Sequence, residues 1–427
     1  MAETPPSRQW LGSGLRMQWC LALLALVLVQ PAAGDGKLQD STITEFSVNI
    51  YRYLSSLNKD RNIFYSPLSI ATALGMVELG TNGTTLEQIQ HAMGYSKMAK
   101  GEEFLMLQNI SQAMNEPSQQ YLLKLANSLF VQDGFQLSDK FLQMMKQYFN
   151  ASVKNVDFNH PSDVAVYINQ WVLDCTNHRI QKLVSPSDFT ALSRLVLVNA
   201  IYFKGSWKSQ FRPELTQAFP FTKDDESEVQ ISMMYQQGEF YYGEFTDGTD
   251  EAGGIYQVVE LPYKGDEMSM MIVLPRQEVQ LASIEPLLKT QQINEWANSI
   301  KKEKVEVFLP KFKVKQSIDL KEVLSSLGMS EMFDMNADLS AMTERNDLYI
   351  SKAVHVSYLE VNEEGSEAAG VSGMIISNRM GSLAPQVLAD HPFFFLIRNR
   401  KTGTIYFMGR VMHPEDIDPT EKYPEAS

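Results

Sequence analysis

The sequence of 427 residues predicts an α+β fold in one large domain, and three observations lead to this prediction. Apolar residues recur at helical spacing through most of the first half of the chain. Continuous apolar runs, which are typical of buried strands, dominate the second half. No long internal repeat and no low-complexity linker divides the chain, so the helices and strands belong to one unit.

The N-terminus has the organisation of a signal peptide. Trp19 to Val29 (WCLALLALVLV) is an apolar run that follows Arg8 and Arg16 and precedes a stretch of small residues. The run is too short to span a bilayer, and a buried helix of the fold would not need these flanks. We therefore expect a secreted, extracellular protein without a membrane span.

Cleavage is expected after Gly34, which makes residues 1–34 the signal peptide and residues 35–427 the mature domain. Met17 is an alternative start that would make residues 1–16 dispensable. Cys20 would leave with the signal peptide, so the mature chain keeps Cys175 alone and forms no internal disulfide. Such a secreted protein depends on its hydrophobic core for stability.

The charge of the chain excludes some classes of partner. The 37 basic and 51 acidic residues give a net charge of −14, and loss of Arg8, Arg16 and Glu3 makes it −15. An acidic chain favours neither nucleic acid nor an anionic membrane as a partner. Three N-glycosylation sequons lie in the mature chain, at Asn82, Asn109 and Asn150, and we expect them to be occupied.

Helices are predicted in the first half from apolar spacing and end signals. Ile70 to Leu79 reads as a helix that ends at Gly80, and Thr84 with Glu87 forms a capping box that would open the next helix. Val164 to Cys175 also has helical spacing.

Strands are predicted in the second half. Leu195 to Phe203 (LVLVNAIYF) and Met268 to Leu274 are continuous apolar runs, and residues 305–309 alternate as a strand does. Phe393 to Ile397 and Thr404 to Met408 flank a turn and predict a hairpin. Asn199 is the one polar residue of the first run, and an unpaired buried amide costs roughly 1 to 3 kcal/mol, so it needs a polar partner.

Motifs of catalysis and metal binding are missing from the sequence. Gly370-Val371-Ser372-Gly373 has the wrong spacing for a nucleophile elbow, and neither a P-loop nor a dinucleotide-binding glycine pattern occurs. The six histidines form no metal-binding pair; they are His91, His160, His178, His355, His391 and His413. We therefore expect neither an enzyme nor a metal or other cofactor.

One segment near the C-terminus is unusual for either a core strand or a loop. Glu363 to Met380 reads EEGSEAAGVSGMIISNRM, and Ala368 to Asn378 contains neither a charge nor a proline. Arg379 is the only basic residue between Glu363 and Asp390.

Several motifs together resemble the serpin family over the whole mature chain. The motifs are NIFYSPLSI at 62–70, NAIYFKGSW at 199–207, KAVH at 352–355, EEGSEAA at 363–369 and DHPFFF at 390–395. The resemblance implies a serpin fold with helices first and then three β-sheets. It also implies an exposed reactive-centre loop, about residues 363–385, that a protease cuts and that then inserts as a strand in the main sheet.

The residues of this loop suit insertion. Side chains alternate along a strand, so Ser366, Ala368 and Gly370 share one face with the later even-numbered residues, and Glu367 lies on the other face. An arginine at Ser366 or Ala368 would have to be desolvated at a cost of several kcal/mol. Proline is absent from Ser366 to Leu383, which a central strand requires.

The resemblance also places the functional residues. The reactive bond falls at Arg379-Met380, because Arg379 is the seventeenth residue from Glu363. An arginine at this position implies a trypsin-like serine protease as the target. The nearest branch of the family implies tissue-type plasminogen activator, with urokinase, plasmin or trypsin as lesser targets.

Other positions match the family's mobile regions. The hinge residues are Glu363, Glu364, Gly365, Ser366, Glu367, Ala368, Ala369 and Gly370. The shutter, where the sheet parts, matches Ser66, Ser69, Asn199 and His355, and His355 is a candidate partner for Asn199. Trp207 matches the breach, where insertion begins, although each of these five residues could also be an ordinary core residue.

The sequence departs from its relatives at residues 376–384, which affects the choice of target protease but not its trypsin-like class. Residues 102–120 contain no dense run of lysines, so activation by heparin is not predicted. Two alternatives remain. The chain could be a non-inhibitory serpin, a carrier or chaperone that is cleaved as a substrate, or a precursor processed at Arg379. As an inhibitor we expect a monomer with a risk of polymerisation, because the loop could enter a neighbour's sheet.

Overall fold

The computed structural model describes residues 35–57, 59–116, 118–248, 255–363 and 384–415. The predicted signal peptide, the hinge residues 364–370 and the bond Arg379-Met380 lie outside these ranges. Eight α-helices are present in them: α1 Asp35–Leu57, α2 Pro67–Glu78, α3 Gly83–Ala92, α4 Glu102–Asn115, α5 Asp139–Phe149, α6 Pro161–Cys175, α7 Thr290–Ser299 and α8 Leu320–Ser326.

The described residues also form fourteen strands in two hydrogen-bonded groups. These are β1 Ile63–Tyr65, β2 Tyr121–Gln132, β3 Val153–Val156, β4 Leu195–Gly205, β5 Gln217–Thr222, β6 Glu228–Thr246, β7 Ile255–Pro262, β8 Met268–Pro275, β9 Lys301–Pro310, β10 Phe312–Asp319, β11 Ile350–Val361, β12 Gln386–Leu388, β13 Phe393–Asn399 and β14 Ile405–Val411. The predicted α+β class is thus confirmed.

Five strands form the main sheet, in the order β10-β11-β4-β2-β3. The two strands at its centre, β4 and β11, run parallel, and their register extends from Ile350 opposite Leu195 to Leu359 opposite Phe203. Every other strand pair in this sheet is antiparallel except β2 with β3. The parallel pair is therefore flanked by antiparallel neighbours on both sides.

The remaining nine strands join through the long strand β6. Its first part pairs with β5 and β9, and its last part pairs with β7. One set has the order β5-β6-β9-β12, and its last strand, β12, follows the predicted loop in the chain. The other set has the order β6-β7-β8-β13-β14-β1 and contributes to the core. These two sets and the main sheet correspond to the three sheets expected from the sequence.

Both faces of the main sheet are covered, which explains why the sequence of β4 is continuously apolar. Leu195, Leu197, Ile201 and Phe203 contribute to a large core that includes α2. The alternate residues Val196, Val198, Ala200 and Tyr202 pack in a second cluster with Val164, Ile168 and Val172 of α6. Helix α6 thus lies across the face of β4 and its neighbours.

Two predicted helix ends can be compared with the structure. Helix α2 begins at Pro67, three residues before the predicted Ile70, because Ser66 is the N-cap and its hydroxyl accepts the N–H of Ser69. It ends at Glu78, with Leu79 as its C-cap, so the predicted end next to Gly80 is confirmed within one residue. The predicted capping box at Thr84 and Glu87 is wrong. The carbonyl of Asn82 accepts the N–H of Leu86, so helix α3 starts earlier and Thr84 lies inside it.

No helix in the described part of the chain has the length and hydropathy needed to cross a membrane.

Candidate functional site

A row of polar side chains crosses the middle of the main sheet. His355 of β11 lies opposite Asn199 of β4, and Asn199 lies opposite Asn127 of β2. Residues paired across strands direct their side chains to the same face, so the three side chains meet beneath the N-terminus of α2. His355 and Asn199 are completely buried.

Hydrogen bonds fix the protonation of this row. The backbone N–H of Ser66 donates to Nε2 of His355 at 3.2 Å. Because Nε2 accepts, the ring proton lies on Nδ1, which faces Oδ1 of Asn199. Burial lowers the pKa of His355 to about 3, so the imidazole is neutral at physiological pH.

The amide of Asn199 links the row to helix α2. Its Nδ2 donates to Oγ of Ser69 at 2.5 Å and to the carbonyl of Ser69 at 3.2 Å, and it also contacts Oδ1 of Asn127. Ser66 and Ser69 are fully buried, and the Ser69 N–H donates to Oγ of Ser66. The polar partner that Asn199 requires is thus a cluster of Ser66, Ser69, Asn127 and His355.

Sequence reasoning did not identify Asn127. It lies in β2, a strand whose mixed pattern of exposed and buried residues gave no strand prediction. Its Nδ2 has no hydrogen-bond partner among the described residues. Only the antiparallel register of β2 with β4 brings it beside Asn199, and that register cannot be read from either segment alone.

Trp207 lies where β11 ends and the predicted loop begins. Its Nε1–H donates to the carbonyl of Asn362 at 2.9 Å, and its ring stacks on Tyr263 with centroids 4.6 Å apart. The indole is only 4% exposed and also contacts Phe211 edge-on. The backbone immediately before the hinge is thereby held against a rigid aromatic cluster.

Glu363, the first residue of the predicted hinge, is held by an ion pair. One carboxylate oxygen of Glu363 lies 2.8 Å from Nζ of Lys311, and the other accepts the hydroxyl of Thr216 at 2.8 Å. Burial raises the pKa of Glu363, but the hydrogen bonds from Lys311 and Thr216 and the charge of Lys311 outweigh it, so the net pKa is lowered. Neither Lys311 nor Thr216 was singled out from the sequence.

A second ion pair ties β11 to the segment that follows α6. Nζ of Lys352 lies 2.8 Å from a carboxylate oxygen of Asp188 and 3.7 Å from Asp319. Asp188 belongs to a 3₁₀ turn, Pro186–Asp188, between α6 and β4. Lys352 therefore connects the segment between α6 and β4 with β11, one of the two central strands.

The three sequon asparagines lie on the surface. Asn109 is exposed on α4, Asn150 is exposed at the end of α5, and Asn82 precedes α3. Among the described residues no group of three or more potential metal ligands comes together.

The described part of this site contains no catalytic group, so its significance lies in the arrangement of its strands. Two parallel strands end together, and the chain continues from the end of β11 at Val361 to β12 at Gln386. A strand that turns back from β11 would be antiparallel to both β11 and β4. The described part of the site therefore consists of two directly paired parallel strands and of the contacts that hold them together.

Comparisons with known proteins agree with this architecture. The family model described as "Serpin (serine protease inhibitor)" matches residues 41–414. Neuroserpin of Rattus norvegicus is 60% identical over 398 residues, which cover 93% of this chain and 97% of the relative. Neuroserpin of Homo sapiens is 59% identical with the same coverage.

Solved structures give the same result. The crystal structure of native protease nexin-1 with heparin has a TM-score of 0.81 at 32% identity, and it covers 89% of this chain and 100% of that chain. Uncleaved ovalbumin has a TM-score of 0.80 at 29% identity, covering 88% of this chain and 100% of that chain. The chain belongs to the serpin family, whose members are serine protease inhibitors rather than enzymes.

Proposed function

We propose that the chain is a secreted inhibitor that traps a trypsin-like serine protease as a covalent acyl-enzyme after cleavage at Arg379-Met380. Among such proteases we propose tissue-type plasminogen activator first, with urokinase, plasmin and trypsin as lesser targets. The identity to neuroserpins supports this assignment, and Arg379 suits a protease with a carboxylate at the base of its primary pocket.

The observation that carries the proposal is the parallel pair of β4 and β11. Nine residue pairs connect the two strands, and Ala368 to Asn378 provides eleven consecutive residues without charge or proline to enter between them. Insertion would replace one parallel pair with two antiparallel pairs, which are slightly more stable per residue. The segment is thus long enough and suitable in composition to fill the site.

The mechanism relies on the chemistry of the target protease. Its serine Oγ bonds to the carbonyl carbon of Arg379, the bond to Met380 breaks, and the new amine takes a proton from the catalytic histidine. Insertion of residues 366–378 then carries the tethered protease away before water hydrolyses the ester. The native fold stores the driving force and is protected kinetically.

The contacts described above receive roles in this mechanism. Trp207, which follows β4, holds the end of β11 through the carbonyl of Asn362, and the ion pair of Glu363 with Lys311 fixes that end against β10. Ser66, Ser69, Asn199 and His355 hold β4 and β11 together at their middle. Residues 364–370 are assigned the role of the hinge in this proposal.

The proposal is tested by measuring residual protease activity with wild type, Arg379→Gln and the control Lys401→Gln, whose residue is exposed in the turn between β13 and β14. We expect Arg379→Gln to lose inhibition of every trypsin-like protease by about 30-fold or more, because an unpaired charge in the primary pocket costs about 2 to 5 kcal/mol. Lys401→Gln should inhibit as wild type does.

The outcome separates the alternatives. Cleavage of wild type at Arg379 with the protease still fully active would make the chain a substrate, and the carrier or chaperone reading would replace inhibition. Inhibition of trypsin without inhibition of tissue-type plasminogen activator would keep the protease class and remove the named target.

A further inference from the structure

Two of the three sequons lie at one junction between helices. Nε2 of Gln108 in α4 donates to the carbonyl of Gln147 in α5 at 2.9 Å, and the rings of Phe104 and Tyr148 lie 5.6 Å apart. Asn109 directly follows Gln108. Asn150 lies three residues beyond Gln147, about one helical turn away.

Both asparagines are available for modification in the folded chain. Asn109 is exposed. Asn150 is also exposed, and it ends α5 in the left-handed conformation with φ 49°, outside the helical backbone. Sequons carry bulky, polar glycans only where the surface can accommodate them.

The surface around Asn109 includes an exposed leucine. Leu105 lies four residues before Asn109 on the same face of α4 and is 53% exposed. The helix contains no lysine or arginine, and its first turn carries Glu102 and Glu103. An anionic polysaccharide therefore finds no counter-charge on α4, whereas a neutral saccharide meets no repulsion.

The third sequon serves as an internal comparison. Asn82 lies against the loop that contains Asp338 and Ser340. Its backbone N–H donates to the carbonyl of Asp338, and its Nδ2 donates to Oγ of Ser340 at 2.9 Å. The same loop reaches the start of α5, where the N–H of Ser138 donates to Met342. A glycan at Asn82 would thus begin at the opposite end of α5 from Asn150.

We propose that Asn109 and Asn150 are both N-glycosylated and that their two glycans together cover the α4–α5 junction, including Leu105. The inference rests on the secretory route in the proposed function. In the reaction, Nδ2 of asparagine loses a proton and bonds to the anomeric carbon of a lipid pyrophosphate-linked oligosaccharide. The anomeric carbon–oxygen bond breaks, and the lipid pyrophosphate leaves.

Occupancy is measured by intact mass of the full chain secreted from a eukaryotic cell. Asn109→Gln and Ser152→Ala should each remove the mass of one glycan. Ser152→Thr is the matched control, because it keeps the sequon of Asn150 and should keep the glycan. An unmodified asparagine at either position, located by peptide mapping, would overturn the inference.

Coverage is measured by the rate at which a bulky maleimide labels Leu105→Cys in a Cys175→Ser background. We expect labelling to be several-fold slower in the glycosylated protein than in one that also carries Asn109→Gln and Ser152→Ala. The control Leu192→Cys, whose leucine is 68% exposed between α6 and β4, should label equally in both proteins. Equal labelling of Leu105→Cys would overturn the proposed coverage.

The same samples separate this inference from the proposed function. A secreted chain that inhibits trypsin but lacks either glycan would contradict only the inference. A fully glycosylated chain that trypsin cleaves without being inhibited would contradict only the proposed function.

Discussion

At the scale of single residues, hydrogen bonding decides what buried polar groups can do. The isolated Asn199 of an apolar run required a partner, and His355, one of the residues matched to the shutter, lies directly opposite it. The sequence did not reveal the other partners, because they come from separate strands and loops. Asn199 also contacts Asn127, and Glu363 contacts Lys311 and Thr216. A sequence pattern reveals a need for a partner more readily than it reveals the partner.

Another buried residue, Glu78, should make the free energy of unfolding depend on pH. Glu78 is 2% exposed, one of its carboxylate oxygens has no partner among the described residues, and the hydroxyl of the neighbouring Tyr95 has none either. Burial raises the pKa of Glu78 from 4.5 to about 8, the Gln90 amide opposes this rise, and the charge of Glu103 adds to it. The carboxyl is therefore mostly protonated in the folded protein at neutral pH.

Because the folded pKa lies above the unfolded value, the contribution of Glu78 is complete below pH 4.5 and is lost as the pH rises through about 8. We expect Glu78→Gln to raise the free energy of unfolding by on the order of 3 kcal/mol at pH 7 and by less at pH 5.5. Urea unfolding at pH 5.5, 7 and 8.5 measures this difference. The same difference at all three pH values would show that Glu78 is ionised in the folded state.

At the scale of elements, strands buried on both faces are the easiest to predict. β4, β8 and the β13–β14 hairpin follow the expected runs within a few residues. β2 was missed because only part of it is buried, so neither continuous hydrophobicity nor strict alternation marks it. The parallel pairing of β4 with β11 could not be derived from periodicity, since 144 residues separate Gly205 from Ile350 and only the family resemblance suggests their neighbourhood.

The hinge end of β11 yields a second prediction. Lys311→Ala removes the cation from Glu363, whose side chain is only 9% exposed, so a nearly buried carboxylate loses its charge partner. We expect a loss of about 1 to 3 kcal/mol in the free energy of unfolding.

Lys313→Ala is the matched control. The pair of Lys313 and Glu360 is exposed to nearly the same degree as the pair of Lys311 and Glu363, but its atoms lie farther apart, at 3.5 Å. Glu360 also keeps a hydrogen bond from Nδ2 of Asn362, so we expect Lys313→Ala to cost at most about 1 kcal/mol. Denaturant unfolding of both variants makes the comparison. Equal losses would mean that the pair of Glu363 and Lys311 does not fasten the hinge.

At the scale of the whole molecule, the mechanism proposed for this serine protease inhibitor requires that the main sheet stays closed until the loop is cut. The two central strands of this sheet are held by a polar row, by an aromatic anchor and by the ion pair of Lys352 with Asp188. If the sheet opens early, the loop of another copy can enter, which would link molecules head to tail.

Ser69→Arg tests this risk. The side chain of Ser69 is fully buried and accepts from Asn199, so an arginine would bring an unpaired charge between α2 and the main sheet. We expect polymers after mild heating, measured as loss of monomer by size-exclusion chromatography. Ser56→Arg, at an exposed position of α1, should stay monomeric. Unchanged monomer content in Ser69→Arg would contradict the role given to this cluster.

The most direct test of covalent trapping is a measurement of intact mass. The secreted chain is mixed with an equimolar trypsin-like protease, and the mass of the products is measured under denaturing conditions. We expect one species whose mass equals the protease plus the cleaved chain up to Arg379 less one water, because an ester joins the two, together with a released peptide that begins at Met380. A mixture that contains only the free protease and two fragments of the cleaved chain would contradict covalent trapping.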